Sequence, residues 1–277
     1  MSGGRDLQRR SFERDGIAFA WYDTGEAGVP VLFQHGLCGD ARQTAEAFPP
    51  DAGFRLLTLE CRGHGHSGSG SATSFSLMQF ADDLAALLDH LALGPIIVGG
   101  LSMGAALAMR LAVCRPDLVS ALALVRPAWS TGAAPPNLAP NAEVGDLLAR
   151  LPPDQAAAAF DAGATAKRLE AISPDNLVSL RCFFSREPLA VTAALLTRIA
   201  ADGPGVSADA LRSLQLPALV IGSDADAIHP WPLAVELAGL IPGARLVRVT
   251  PKGVDKTAYL ADLHSALGAF FKDVTHA

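Results

Sequence analysis

The stretch VGGLSMGAALAMRLA, residues 98–112, decides how the rest of the chain is read. A short apolar run ends in paired glycines, a serine follows, and an alanine-rich segment of helical character begins at once. Gly100-Leu101-Ser102-Met103-Gly104 fits the pattern G-x-S-x-G, and it lies where that pattern carries chemistry, between a strand and a helix. A serine in such a turn occupies a strained backbone conformation that exposes its hydroxyl, and flanking glycines leave the room the turn needs. The helix beginning at Met103 aims unpaired NH groups and the positive end of its dipole at any negative charge that develops there. A glycine-rich turn that merely contains a serine is the plainer alternative, and the strand and helix on either side argue against it.

Working outward, FERDGIAFAWYDTG (12–25) reads as a hairpin with Asp15-Gly16 at its turn. VPVLFQHG, FRLLTLECRG, GPIIVGGLSMG, SALALVRP, LPALVIGSDAD and ARLVRVT follow as continuous apolar runs, the pattern of strands buried on both faces. Helical stretches lie between them: FSLMQFADDLAALLDHLAL, MGAALAMRLAVCRP and HPWPLAVELAGLIPG. Strand and helix in alternation predict an α/β protein with a mostly parallel central sheet, helices on both faces and a ligand site at the carboxyl ends of the strands. The rhythm breaks after the sixth strand. Residues 128–215 hold no convincing strand but several short helical segments divided by Pro and Gly, NAEVGDLLARL, PDQAAAAFDAG, SPDNLVSLRCFF and REPLAVTAALLTRIAADG. The expectation is a core made of residues 1–127 and 216–277 with a helical lid at 128–215.

With 277 residues, half of them apolar, the chain can build one large core. A formal net charge of −6 and scattered Lys and Arg leave no basic patch for a phosphate backbone, so no nucleic-acid partner is expected. Cys38, Cys61, Cys114 and Cys182 are far apart with no CxxC pair, which fits reduced thiols and suggests no zinc site. The polar start MSGGRDLQRR lacks the apolar core of a signal peptide, and the longest apolar stretch is broken by glycines and Arg110. The chain reads as cytoplasmic, without a membrane segment.

Directly after the third strand comes LFQHGLCGD (32–40). With the serine turn, this motif resembles those of the alpha/beta-hydrolase family, in its lidded form, and the likeness runs from the hairpin to the last helix. The resemblance implies an oxyanion hole made by the backbone NH groups of Leu37 and Met103. His35 reads as a buried residue that holds its loop. ECRGHGHSG (60–68) resembles the family's D-x-R-G-x-G-x-S loop with Glu60 in place of aspartate; His64 is read as structural, and His66 as an extra residue that could lie near the pocket. ALVIGSDADAIHP (218–230) resembles the strand end that carries the family's acid. Asp224 and Asp226 compete for that role, and the spacing to the proline favours Asp226.

The family order is serine, acid, then a histidine shortly after the last strand. In GARLVRVTPKGVDKTAYL (243–260) the alignment places Val254 there. Removing such a histidine costs on the order of six decades in rate, so another base is needed if the chain hydrolyses anything. His264 sits well along the final helix, His276 in the tail and His90 at a helix end on the far side of the sheet. His229, three residues past Asp226, is the best remaining candidate, ahead of His66; a turn-stabilising residue before Pro230 is the plainer reading. Arg126, Trp129 and Tyr259 are candidate substrate-binding residues. An ion pair with a lid acid is the alternative for Arg126, and core packing for Tyr259 and for Trp129, which together with Phe183 and Phe184 offers an apolar wall.

The expectation is therefore a hydrolase acting on a small apolar ester, lactone or related acyl compound, with an atypical triad of Ser102, Asp226 and His229. No metal or organic cofactor is implied, and the partner is a small-molecule substrate. The alternative is a non-hydrolytic member of the same fold: a lyase, a cyclase or a small-molecule binding protein.

Overall fold

The structure is a computed structural model that describes residues 7–25, 27–50 and 53–276; Met1–Asp6, on which part of the signal-peptide reading rests, lie outside them. Eight strands form one sheet: β1 (Gln8–Arg14), β2 (Ile17–Asp23), β3 (Val29–Gln34), β4 (Phe54–Leu59), β5 (Ile96–Leu101), β6 (Val119–Val125), β7 (Ala218–Gly222) and β8 (Arg245–Arg248). Their spatial order is β1-β2-β4-β3-β5-β6-β7-β8. The hairpin is antiparallel, as is its pairing to β4, and every later pair is parallel. Asp15 and Gly16 both take positive φ, 53° and 71°, as a two-residue hairpin turn of right-handed twist requires.

Alternation along the strands divides the core into two layers. Leu32, Leu57, Val98, Leu122, Leu124 and Val220 face the helices Leu77–His90 and Met103–Cys114. Val31, Phe33, Leu56, Ile97, Ala123, Val125 and Ile221 face the final helix Lys256–Thr275, which contributes Leu263, Leu267, Phe270 and Phe271. Because both faces are covered, the central strands β4, β5, β6 and β7 read as largely unbroken apolar runs rather than as alternating ones.

The segment between β6 and β7 is helical, as expected. Ala139–Arg150, Pro153–Ala162, Pro174–Cys182 and Leu189–Ala200 match the four stretches read from sequence. Ala164–Ile172 and the short Ala208–Arg212 are additional helices. The first of these buries only Ala166 and Leu169, too thin an apolar stripe to announce itself. The inserted helices have their own small core around Val144, Phe160, Leu169, Leu177 and Phe184. Helix Leu189–Ala200 joins it to the body, with Leu196 in that core and Leu195 and Ile199 in the larger one. Among the described residues, no helix is long and apolar enough to cross a membrane.

Candidate active site

Ser102 follows β5 directly, with φ 54° and ψ −110°, a conformation unfavourable for a residue with a side chain. Its NH donates to Val125 O at 2.9 Å, which ties the turn to the end of β6. The neighbouring glycines are sterically required. A Cβ on Gly104 would stand 2.3 Å from Gln34 O, and one on Gly100 would stand 2.7 Å from the same oxygen. Helix Met103–Cys114 thus starts against the backbone of β3, and Ser102 projects from the crossing.

The loop after β3 passes the serine closely, since a Cβ on Gly36 would meet Ser102 Cβ at 3.4 Å. Two buried histidines fix this loop. His35 Nδ1 donates to Gly36 O at 2.8 Å while its Nε2 accepts from Cys61 NH at 3.1 Å. His64 Nδ1 donates to Arg62 O at 2.9 Å, and its Nε2 accepts from Cys38 NH at 3.0 Å. Each imidazole thus has one nitrogen as donor and one as acceptor, the neutral form, and burial lowers both pKa values. Gln43 Oε1 accepts Gly36 NH, and Arg186, from the inserted segment, donates to Cys38 O. The NH groups of Leu37 and Met103 donate to no acceptor among the described residues. Burial pushes the Cys38 thiol up to about 12, so it is protonated at neutral pH and is no rival nucleophile.

The loop between β7 and helix Trp231–Leu240 carries Asp226 and His229. His229 Nδ1 donates to the Asp226 carboxylate at 3.0 and 3.1 Å, and the backbone NH of His229 donates to the same group at 3.0 Å. Arg126, just after β6, donates from Nε to Asp226 Oδ2 at 2.7 Å and pairs with the same oxygen through Nη2 at 2.6 Å. Burial alone would raise the Asp226 pKa; His229 and Arg126 outweigh it and hold the carboxyl well below the usual range. For His229, burial lowers the pKa, Asp226 opposes that, and Arg126 adds to it, for a net shift below 6.5. The imidazole is therefore neutral at pH 7, with Nε2 free of any hydrogen-bond partner among the described residues. Asp224, the other candidate acid, is 56% exposed and pairs with Arg248 at 3.5 Å.

A cavity of about 300 Å³ brings these parts together: Gly36, Leu37, Ser102 and His229 all line it. Its apolar wall is Leu37, Trp129, Leu138, Leu180, Phe183 and Ile228. Trp129 is almost fully buried and donates from Nε1 to Asp202 O at 3.0 Å. Arg126 reaches the cavity, but its guanidinium is engaged by Asp226 and, at 3.7 Å, by Asp175 of the inserted segment. Tyr259 does not line the cavity. It is buried beneath Arg126, whose guanidinium lies 5.7 Å from the ring centroid.

The other histidines lie elsewhere. His66 is 62% exposed on the outer face, 3.4 Å from Glu60 and hydrogen-bonded to Tyr22, and does not border the Ser102 cavity. His90 packs on Phe12, and His264 bonds Glu46 O. In the loop after β8, Val254 is 75% exposed to solvent, whereas Lys252 reaches the cavity wall and pairs with Asp175 at 3.2 Å. Lys252, Gln43, Asn141 and Asn176 are site residues that the sequence did not single out; a lone polar residue in a helix or loop carries no local signal of facing a distant serine.

Residues 29–253 match the family described as alpha/beta hydrolase fold, and the chain belongs to that family. It is 31% identical over 243 residues to BpoC of Mycobacterium tuberculosis, provisionally named a non-heme bromoperoxidase, across 84% of this chain and 89% of the relative. A thermophilic esterase from Thermogutta terrifontis superposes with a TM-score of 0.72 at 27% identity, covering 96% of this chain and 99% of that one. An enol-lactonase from Burkholderia xenovorans LB400 shares the fold, with a TM-score of 0.65 at 24% identity over 96% and 98% of the two chains.

Proposed function

We propose that the protein is a serine hydrolase for small, neutral, largely apolar esters or lactones, with His229 as its base and residues 128–215 as the lid of its cavity. The observation that carries this reading is that His229 is the histidine lining the Ser102 cavity, with Nδ1 bound to Asp226 and Nε2 unengaged. Nε2 takes the Ser102 proton as Oγ adds to the substrate carbonyl carbon. The Leu37 and Met103 NH groups stabilise the oxyanion. Collapse of the adduct breaks the bond to the leaving oxygen, which receives the proton from His229. Water then attacks the acyl-enzyme with His229 again as base, releasing the acid and restoring Ser102. Asp226 holds the imidazole in the required tautomer and stabilises it when protonated.

The exposed Val254 at the family's usual histidine position favours a second reading, in which the same cavity binds or isomerises a ligand without an acyl-enzyme. A fluorophosphonate probe with a panel of p-nitrophenyl esters separates the two. Labelling of the native chain that Ser102→Ala abolishes, together with ester turnover, supports hydrolysis; no labelling at saturating probe contradicts it.

A further inference from the structure

Three asparagines border the cavity or the loop behind it, and two have evident structural work. Asn137 Nδ2 donates to Ala128 O at 2.9 Å and Ile228 O at 2.7 Å. Asn176 Oδ1 accepts from Ser173 Oγ, Ala227 NH and Ile228 NH at 2.7 to 3.0 Å. Asn141 differs. It lies in the first turns of helix Ala139–Arg150, is 6% exposed, and lines the same cavity as Ser102 and His229. Its Oδ1 is sealed from solvent without a hydrogen-bond partner, and its Nδ2 donates to no described residue.

A buried carboxamide with no partner destabilises the free protein relative to a leucine of similar size. Buried, apolar Leu138, just before the helix, and Val144 on it flank Asn141 three residues to either side. The cavity also carries no uncompensated charge. Its cations, Arg126 and Lys252, are matched by Asp226 and Asp175. Of the carboxamides on the wall, Gln43 and Asn176 already accept backbone NH groups, and Asn141 has no partner among the described residues.

We propose that Asn141 is a specificity-determining residue that hydrogen-bonds a neutral donor-acceptor group, a hydroxyl or a secondary amide, on the substrate chain away from the scissile carbonyl. Such a group can pair with whichever amide atom faces the cavity, donating to an oxygen or accepting from an NH2. An apolar chain leaves it unpaired, and sites built around a hydrogen bond reject analogues that lack it. The inference rests on the hydrolase reading for its kinetic test, though the binding preference stands apart from it.

The test compares p-nitrophenyl pentanoate with the near-isosteric 3-hydroxypentanoate and N-acetylglycinate esters, on the native protein and on Asn141→Leu. The native protein should favour at least one polar ester in kcat/KM by roughly tenfold to hundredfold. Asn141→Leu should bring that ratio close to one and raise Tm. An unchanged ratio in Asn141→Leu, or no polar preference in the native protein, overturns the proposal. If fluorophosphonate labelling fails as well, the hydrolase reading has failed separately. Calorimetric binding of hexan-2-one against 4-hydroxyhexan-2-one then decides: a hydroxyl preference removed by Asn141→Leu supports the role of Asn141, and equal binding overturns it.

Discussion

The side-chain oxygen of Asn176 accepts the backbone NH of Ile228 at 3.0 Å, one residue before His229. Ala227 NH reaches the same oxygen at 2.8 Å, the single Ser173 hydroxyl proton serves either Asn176 Oδ1 or Ala225 O, 2.7 and 2.8 Å away, and Asn137 Nδ2 donates to Ile228 O. The loop that carries the proposed base is therefore held by the inserted helices as much as by the sheet. A histidine placed after the last strand would owe nothing to these contacts.

Asn176→Ala removes the oxygen that all three donors share, and two backbone NH groups lose a partner. The expected result is a fall in kcat of roughly tenfold to hundredfold from misplacement of His229, with a smaller change in KM. Steady-state kinetics on a p-nitrophenyl ester, with fluorophosphonate labelling rates alongside, measure it. Native kcat in this variant would show that the clamp is not needed for the base.

The parts of this architecture that were legible in the sequence are those written in local pattern. The Asp15-Gly16 turn marked the first two strands, apolar runs marked the later ones, most of them buried on both faces, and the glycines around Ser102 mark a turn that only glycine neighbours permit. Asp226 and His229 could be paired because a three-residue spacing in one loop is visible along the chain. Asn176 and Asn141 were not legible. Each sits on a helix of ordinary composition, and its meaning comes from facing a loop or a serine far away in sequence. Tyr259 was misleading in the opposite sense: near the site in sequence, it packs under Arg126 and away from the cavity.

Arg126 and Asp226 form a buried pair at 2.6 Å. Arg126→Met leaves the carboxylate with the imidazole and backbone NH of His229, a loss of about 3–5 kcal/mol for an ion pair broken on one side. Because Arg126 also lowers the His229 pKa, its removal should move the acid limb of the pH–rate profile to higher pH. Urea denaturation and a pH profile check the two effects, and a profile that stays in place would separate Arg126 from the base.

Three histidines, the buried His35 and His64 and the largely enclosed His229, have pKa values below the ordinary 6.5. Below pH 6.5 the unfolded chain binds protons that the folded chain refuses, so the stability these groups contribute is present above pH 6.5 and lost as pH falls. The expected result is a Tm that drops between about pH 6.5 and pH 5, with uptake of two to three protons, roughly one per histidine, on unfolding near the lower limit. A flat Tm across that interval would mean that these imidazoles are protonated in the folded protein.

The most direct test of His229 as base is the rate of Ser102 acylation by a p-nitrophenyl ester as a function of pH, in the native protein and in His229→Gln. The native rate should rise with pH through a single ionisation below 6.5, in keeping with the lowered pKa of the largely enclosed imidazole. His229→Gln should lose on the order of five to six decades and the ionisation with it, while keeping the native fold by circular dichroism. Acylation of Ser102 in His229→Gln at close to the native rate would contradict the assignment and return the base to another group.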